Sequence, residues 1–178
     1  GRIAADNICG GDSRFTGSQG SSVIKVFDMT AASTGINEQT ADRSGIPCGK
    51  VYLSPANHAG YYPGGKIMTM KVLFEPETLR LLGAQIVGYE GVDKRIDVLA
   101  TAIRAGMTAL DLKELDLAYA PPYSSAKDPV NMAGFMVENL AKGMVKQFYW
   151  NELDALPRDG SVTLLDVRTL REYEHGHT

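Results

Sequence analysis

Two alternating runs flank a four-residue turn near the middle of the chain, and they restrict its fold more than any other feature. Residues 66–74, Lys66-Ile67-Met68-Thr69-Met70-Lys71-Val72-Leu73-Phe74, alternate as a long strand does. Glu75-Pro76-Glu77-Thr78 reads as the turn, and residues 79–88 as the next strand. Gly83 inside that strand marks a bulge or a close approach of backbone. The period then changes to that of a helix over residues 93–105. Ile96, Leu99 and Ile103, with Val92 flanking, fall on one face and leave Lys94, Arg95 and Arg104 for solvent. Gly106 follows the end of this helix.

Upstream, residues 1–9 carry a helical pattern with Ile3, Ala4 and Ile8 on one side, too short to be stable alone. The pattern starts without a visible cap, which points to a chain cut from a longer one, and Gly10-Gly11-Asp12-Ser13 ends it. Residues 23–29 alternate after their first pair and read as a strand, whereas residues 31–35 are small and turn-like. A short helix over 37–43 has Asn37 as its cap and Gly45 beyond its end. Residues 50–54 form another strand, closed by Pro55.

Downstream, Thr108 precedes Asp111 by three residues, a capping-box-like start for a helix over 109–115. Asp128-Pro129 reads as an N-cap followed by proline at the first helical position. The helix that follows places Ala133, Met136, Val137, Leu140 and Met144 on one face. Residues 150–156 form a short helix ended by Pro157, and Asp159-Gly160 a turn. The apolar run Val162-Thr163-Leu164-Leu165-Asp166-Val167 fits a parallel strand buried on both faces. One such strand and the start of a helix cannot bury both faces, so the expectation is a second domain that begins near residue 148 and is truncated at Thr178.

At 178 residues the chain is long enough for one domain with a core of its own and an appendage. The net charge of −3 and the scattered Lys and Arg give no electrostatic case for nucleic acid or an anionic membrane. No apolar run approaches the roughly 20 residues of a membrane span. The start at Gly1-Arg2-Ile3 does not read as a signal peptide. Cys9 and Cys48 lie far apart and form no metal-ligand spacing with His58, His175 and His177, so they read as buried or incidental thiols in a reducing cytoplasm.

No complete catalytic set is present: there is no dinucleotide-binding glycine motif, no P-loop, no Ser–His–Asp arrangement and no zinc-protease motif. Gly10-Gly11-Asp12 has the look of a nucleotide site but follows a helix rather than a strand. Two tyrosine-bearing loops remain. Asn57-His58-Ala59-Gly60-Tyr61-Tyr62-Pro63-Gly64-Gly65 is one. The other, residues 118–131, holds Tyr119 and Tyr123 around Pro121-Pro122, which stiffens it. A phenol can donate a hydrogen bond or a proton to a leaving anion, or steady a thiolate, and rigid presentation suits that task. The same tyrosines can equally be packing residues in a connector. His58 reads as structural, and Lys127 as a solvated lysine within reach of a phosphate at most.

Several of these motifs, in this order, resemble the C-terminal dimerisation domain of the pyridine nucleotide–disulfide oxidoreductases. They are NHAGYYPGG (57–65), the strand around KIMTMKVLF (66–74), LLGAQIVGYEGVDKRIDVLATAIRAGMTALDL (81–112) and DLAYAPPYSSAKDPVNMAG (116–134). The resemblance is to the single-cysteine branch of coenzyme A-disulfide reductases, NADH oxidases and polysulfide reductases. GRIAADNI (1–8) resembles the helix that closes the FAD domain of that family, and GSQGSSVIKVFDMTAASTG (17–35) the segment leading into its interface domain. The tail, QFYWNELDALPRDGSVTLLDVRTLREYEHGHT (147–178), resembles the opening of a rhodanese domain. It departs from that family at Thr178, where an aliphatic residue is usual.

The resemblance implies an α+β fold: a mostly antiparallel sheet of four to five strands with helices packed on one side, plus a truncated α/β start. It implies the end of an FAD-binding domain over 1–20, a dimerisation domain over 21–146 and the start of a rhodanese-like domain over 147–178. It further implies a cytoplasmic homodimer whose full-length parent uses FAD and NAD(P)H on a CoA-type disulfide or persulfide, or on oxygen. Tyr61 and Tyr119 would serve the redox thiol of the other subunit, with Tyr62 and Tyr123 as neighbours open to the same assignment. The redox cysteine and flavin motifs of that family precede Gly1, so this chain alone is expected to bind no cofactor and to be inactive. A purely structural dimerisation module is the rival reading.

Overall fold

The computed structural model describes residues 1–176; His177 and Thr178, the end of the stretch expected to open a rhodanese-like domain, lie outside the described residues. The chain divides into two units, Gly1–Val145 and Lys146–Thr178. The first is built on five antiparallel strands, β1 (Ser22–Val26), β2 (Met29–Gly35), β3 (Gly49–Leu53), β4 (Met68–Phe74) and β5 (Leu81–Gly88), in the order β1-β2-β5-β4-β3. Its helices are α1 (Arg2–Ile8), α2 (Glu38–Ser44), α3 (Val92–Arg104), α4 (Ala109–Lys113) and α5 (Pro129–Ala141).

Alternation decides which face is covered. Met68, Met70 and Val72 of β4 pair across to Gly88, Ile86 and Ala84 of β5, and all point to the helix side. There they share one core with Val92, Ile96 and Leu99 of α3, Leu112 of α4, and Val130, Ala133 and Val137 of α5. Each Met, Leu or Ile removed from water contributes roughly 1.5–3 kcal/mol, more than any one helix cap at about 1 kcal/mol, so this layer rather than the caps holds the domain together. On the opposite face Glu38 of α2 bridges Lys50 and Lys71.

The sequence-based elements hold with instructive exceptions. Residues 23–29 are not one strand. The chain reverses at Phe27-Asp28, with Phe27 at φ 52°, and Val26 pairs with Met29 across a two-residue hairpin turn. Residues 31–35, expected to be turn-like, form most of β2. Their small side chains fit a strand flanked on both sides, packed under α3, and meeting β5 where Gly35 opposes Gly83. A Cβ on Gly83 would lie 1.8 Å from the Ile36 carbonyl oxygen, so the close approach expected at that glycine is real. Asn37, Thr108 and Asp128 cap α2, α4 and α5 through their side chains. Met144 lies beyond the end of α5 and is exposed, so it is not part of the buried face. Cys9 is exposed.

Arg95 is the largest departure: assigned to solvent, it is 1% exposed, within the core layer.

The second unit holds a 3-10 helix, Trp150–Ala155, and α6 (Leu170–Glu174), capped by Thr169. The strand expected over 162–167 does not form. No described residue pairs with its backbone, and Leu164, Leu165 and Val167 stay exposed, because an apolar run becomes a strand only when a neighbour takes its ladder bonds.

Candidate functional site

Both tyrosine loops emerge at one end of the sheet. The first connects β3 to β4 and is closed at its base by Asn57. The Asn57 N–H donates to the Lys66 carbonyl at 2.8 Å, and its Oδ1 accepts from the Lys66 N–H at 2.7 Å. At the same end β5 runs through Glu90 and Gly91 into the first turn of α3, because Gly88 pairs with Met68. The second loop passes through a turn in which Tyr123 and Ser124 N–H donate to the Ala120 carbonyl, then enters α5 at Asp128. The loops touch directly: the Ala59 N–H donates to the Ser124 carbonyl at 3.1 Å.

The contact between loops extends to the side chains. Tyr61 Oη and Tyr119 Oη are 2.6 Å apart, a hydrogen bond between two phenols 75% and 47% exposed. The Tyr119 hydroxyl is held above the ordinary phenol range, first by its hydrogen bond to Tyr61, then by loss of solvent and by the charge Tyr61 can carry. One proton is shared within the pair, so the second O–H remains to be donated outward, polarised by the bond behind it. Such a pair presents one strong neutral donor to an anion.

The other two tyrosines are not part of this pair. Tyr62 meets His58 edge-on, with ring centroids 5.5 Å apart, and the ring of Tyr123 is largely exposed. His58 is buried, with Nδ1 3.1 Å from the Ala59 carbonyl, as a structural histidine would be. Lys127 places its ammonium 4.7 Å from the centre of the Phe135 ring. A cleft of about 620 Å³ opens beside the pair, lined by Glu90, Lys94, Tyr119 and Tyr123 among others.

Beneath both loops lies the group that the sequence reading missed. Arg95 Nη2 donates to the Asn57 carbonyl at 2.8 Å, to the Tyr123 carbonyl at 3.2 Å and to Asp128 Oδ2 at 2.9 Å, and Nε also donates to the Asp128 carboxylate. Nη1 donates to the Gly91 carbonyl at 3.2 Å. Gly91 leaves the room: a Cβ there would stand 2.2 Å from Nη1, and its φ of 71° suits glycine. Burial pushes the Asp128 carboxyl up, but hydrogen bonds from Arg95, Ser124 and the Val130 N–H, with the charge of Arg95, outweigh it and hold it below the ordinary range. The signal was in the spacing. Arg95 lies three residues after Val92 and four before Leu99, on the buried face.

The described residues do not form a dinucleotide-binding crossover of their own. The sheet is antiparallel and offers no strand–glycine turn–helix crossover. Gly10-Gly11 wraps the end of α1, where the Gly11 N–H donates to the Asp6 carbonyl at 2.8 Å. No buried side-chain nitrogen or oxygen among them lacks a hydrogen-bond partner that a cofactor would supply. Among the described residues no group of His, Cys, Asp and Glu could hold a metal, and no helix is long and apolar enough to cross a membrane.

Comparison with known proteins fits this architecture. The chain is 39% identical over 137 residues to coenzyme A disulfide reductase of Staphylococcus epidermidis, a match covering 76% of the chain and 31% of that protein. It superimposes on reduced CoADR-RHD of Bacillus anthracis with a TM-score of 0.91 at 47% identity, over 99% of the chain and 32% of that structure. A NAD-dependent persulfide reductase from A. fulgidus matches with a TM-score of 0.83 at 44% identity, over 86% of the chain and 28% of that structure. The chain thus spans about a third of the length of these relatives. Residues 21–130 match the dimerisation domain of the pyridine nucleotide-disulphide oxidoreductases, and the chain belongs to that family.

Proposed function

We propose that this chain is the dimer-interface part of an FAD-dependent NAD(P)H:disulfide or persulfide oxidoreductase, acting as a homodimer on a CoA-type disulfide or persulfide. In this reading residues 1–20 end the flavin domain, residues 21–146 form the interface domain and residues 147–178 open a rhodanese-like domain. The flavin and the pyridine nucleotide are held by the rest of the parent enzyme. The observation that carries the reading is the 2.6 Å hydrogen bond between Tyr61 and Tyr119, an exposed pair of phenols on two stiff loops.

The pair is assigned to the redox thiol of the partner subunit. When that thiolate attacks a CoA disulfide, a new S–S bond forms and a CoA thiolate leaves. The outward O–H of the pair donates to whichever sulfur carries the negative charge, at little reorganisation cost because both loops are fixed. The test is Tyr119→Phe in the full-length enzyme, assayed with CoA disulfide, a CoA persulfide and oxygen. Turnover of the physiological acceptor falls while flavin content is unchanged; unchanged turnover with all three removes the role. A second reading, a purely structural dimerisation module, draws on the high exposure of Tyr61 and Tyr123, since aromatic residues are enriched at interface cores. It predicts weaker dimers from Tyr119→Phe and no change in turnover per dimer.

A further inference from the structure

We propose that Arg95 is the positioning residue of the tyrosine pair: its buried guanidinium fixes the two loops against each other and thereby sets the Tyr61–Tyr119 distance. This rests on the reading of the pair given above. The argument is one of connectivity. Tyr61 belongs to the β3–β4 connection and Tyr119 to the segment before α5, 58 residues apart in sequence. Apart from the phenol contact itself, the bonds that tie these loops together are the Ala59–Ser124 backbone bond and the fan of bonds from Arg95. The fan reaches the base of the first loop at the Asn57 carbonyl, the second loop at the Tyr123 carbonyl and Ser124 Oγ, and the α5 cap at Asp128.

The loop and cap acceptors converge on Nη2, while Nε holds Asp128 a second time and Nη1 the Gly91 carbonyl; a lysine has one nitrogen and cannot keep the Nε and Nη1 bonds that fix the orientation of the group. Arg95 itself is anchored by the first turn of α3 and by the core around Val92, Ile96 and Leu99, so the fan has a rigid origin. Asn57 adds a second tie, its Nδ2 donating to Glu90 Oε2 at 3.3 Å just before α3. A shift of about 1 Å between the loops would break a 2.6 Å phenol bond, and misplacements of that size are worth about 100-fold in rate where positioned groups matter. Arg95 touches neither phenol oxygen, so its influence runs through the loops alone.

The test uses the full-length enzyme with tyrosines labelled at the ring carbon bearing oxygen, and compares Arg95→Lys, Tyr119→Phe and the double variant. Arg95→Lys keeps the dimer and its flavin, lowers kcat about 10- to 100-fold and brings the Tyr119 titration back toward the ordinary phenol value of 10.0. The double variant is no slower than Tyr119→Phe alone. A role confined to folding would lower the melting temperature and leave the Tyr119 titration where it is, and that result overturns the proposal. If Tyr119→Phe turns over normally, the function assigned to the pair fails, and the titration by itself then decides whether Arg95 positions it. Should Arg95→Lys give no folded dimer, Ser124→Ala deletes one bond of the fan and keeps the ion pair. It is expected to move the same titration in the same direction, and an unmoved signal there also overturns the proposal.

Discussion

Asp128→Asn isolates the charge that balances Arg95. Asparagine is nearly isosteric and caps a helix as well as aspartate does, so the bond from the Val130 N–H at 3.0 Å survives the change. What is lost is the negative partner of a guanidinium whose side chain is 2% exposed, together with one oxygen that accepts from Ser124 at 2.6 Å and from Arg95 at 2.9 Å. Removing one partner of a buried ion pair costs about 3–5 kcal/mol, because the remaining charge has neither water nor a counter-ion. Loss of a cap alone would cost about 1 kcal/mol, so the size of the effect separates the two explanations. Urea denaturation followed by circular dichroism, at pH 7 and one fixed protein concentration, reads this directly. With a slope of about 2 kcal/mol per molar, the midpoint falls by about 2 M. A companion variant, Arg95→Met with Asp128→Leu, removes both charges but regains only part of the loss, since the Asn57 and Tyr123 carbonyls lose the guanidinium donor and α5 loses its cap. A cost below about 1 kcal/mol for Asp128→Asn would refute the reasoning that the ion pair is a buried, mutually dependent unit.

Three further outcomes follow from the same geometry. Because the folded-state Asp128 carboxyl is held below its ordinary value of 3.8, its contribution is complete above 3.8 and is lost below it, as pH falls through the lower folded-state value; acid titration of stability steepens below 3.8 in the parent and not in Asp128→Asn. Tyr61→Phe removes the bond that raises Tyr119, so the Tyr119 titration moves down toward 10.0, and carbon-13 shifts of labelled tyrosine report it. Gly83→Ala drives a methyl to 1.8 Å from the Ile36 carbonyl and costs about 2 kcal/mol or more, whereas Gly60→Ala meets nothing within 4 Å and stays within about 0.5 kcal/mol, both read by thermal denaturation.

Where local chemistry decides structure, the sequence was readable. Asn37, Thr108 and Asp128 announce three helices because each side chain answers a backbone N–H within three residues. The hairpin of β4 and β5 was equally plain, since its alternation reports which face meets the main helical core. What stayed hidden depended on partners distant in sequence. β2 is made of small residues whose value lies in letting α3 and β5 approach, so nothing in Thr30-Ala31-Ala32-Ser33-Thr34 itself speaks for a strand. Residues 162–167 show the converse, an apolar run that reads as a strand and has no ladder to join among the described residues. Tyr61 and Tyr119 were singled out by resemblance, but their contact could not be read from two loops 58 residues apart. Arg95 was set aside because a charge defaults to solvent, even though its spacing from Val92 and Leu99 placed it on the buried face.

The central claim is that the tyrosine pair serves the thiol of the opposite subunit, and hybrid dimers test it most directly. One subunit of the full-length enzyme would keep its redox cysteine and carry Tyr61→Phe and Tyr119→Phe. The other would keep both tyrosines and carry serine in place of that cysteine. If the pair acts across the interface, the hybrid contains one complete site and turns over at about half the parent rate, since one of two equivalent sites is intact. A hybrid as slow as the doubly substituted tyrosine homodimer would contradict the claim and place the pair, if it acts at all, beside the thiol of its own subunit.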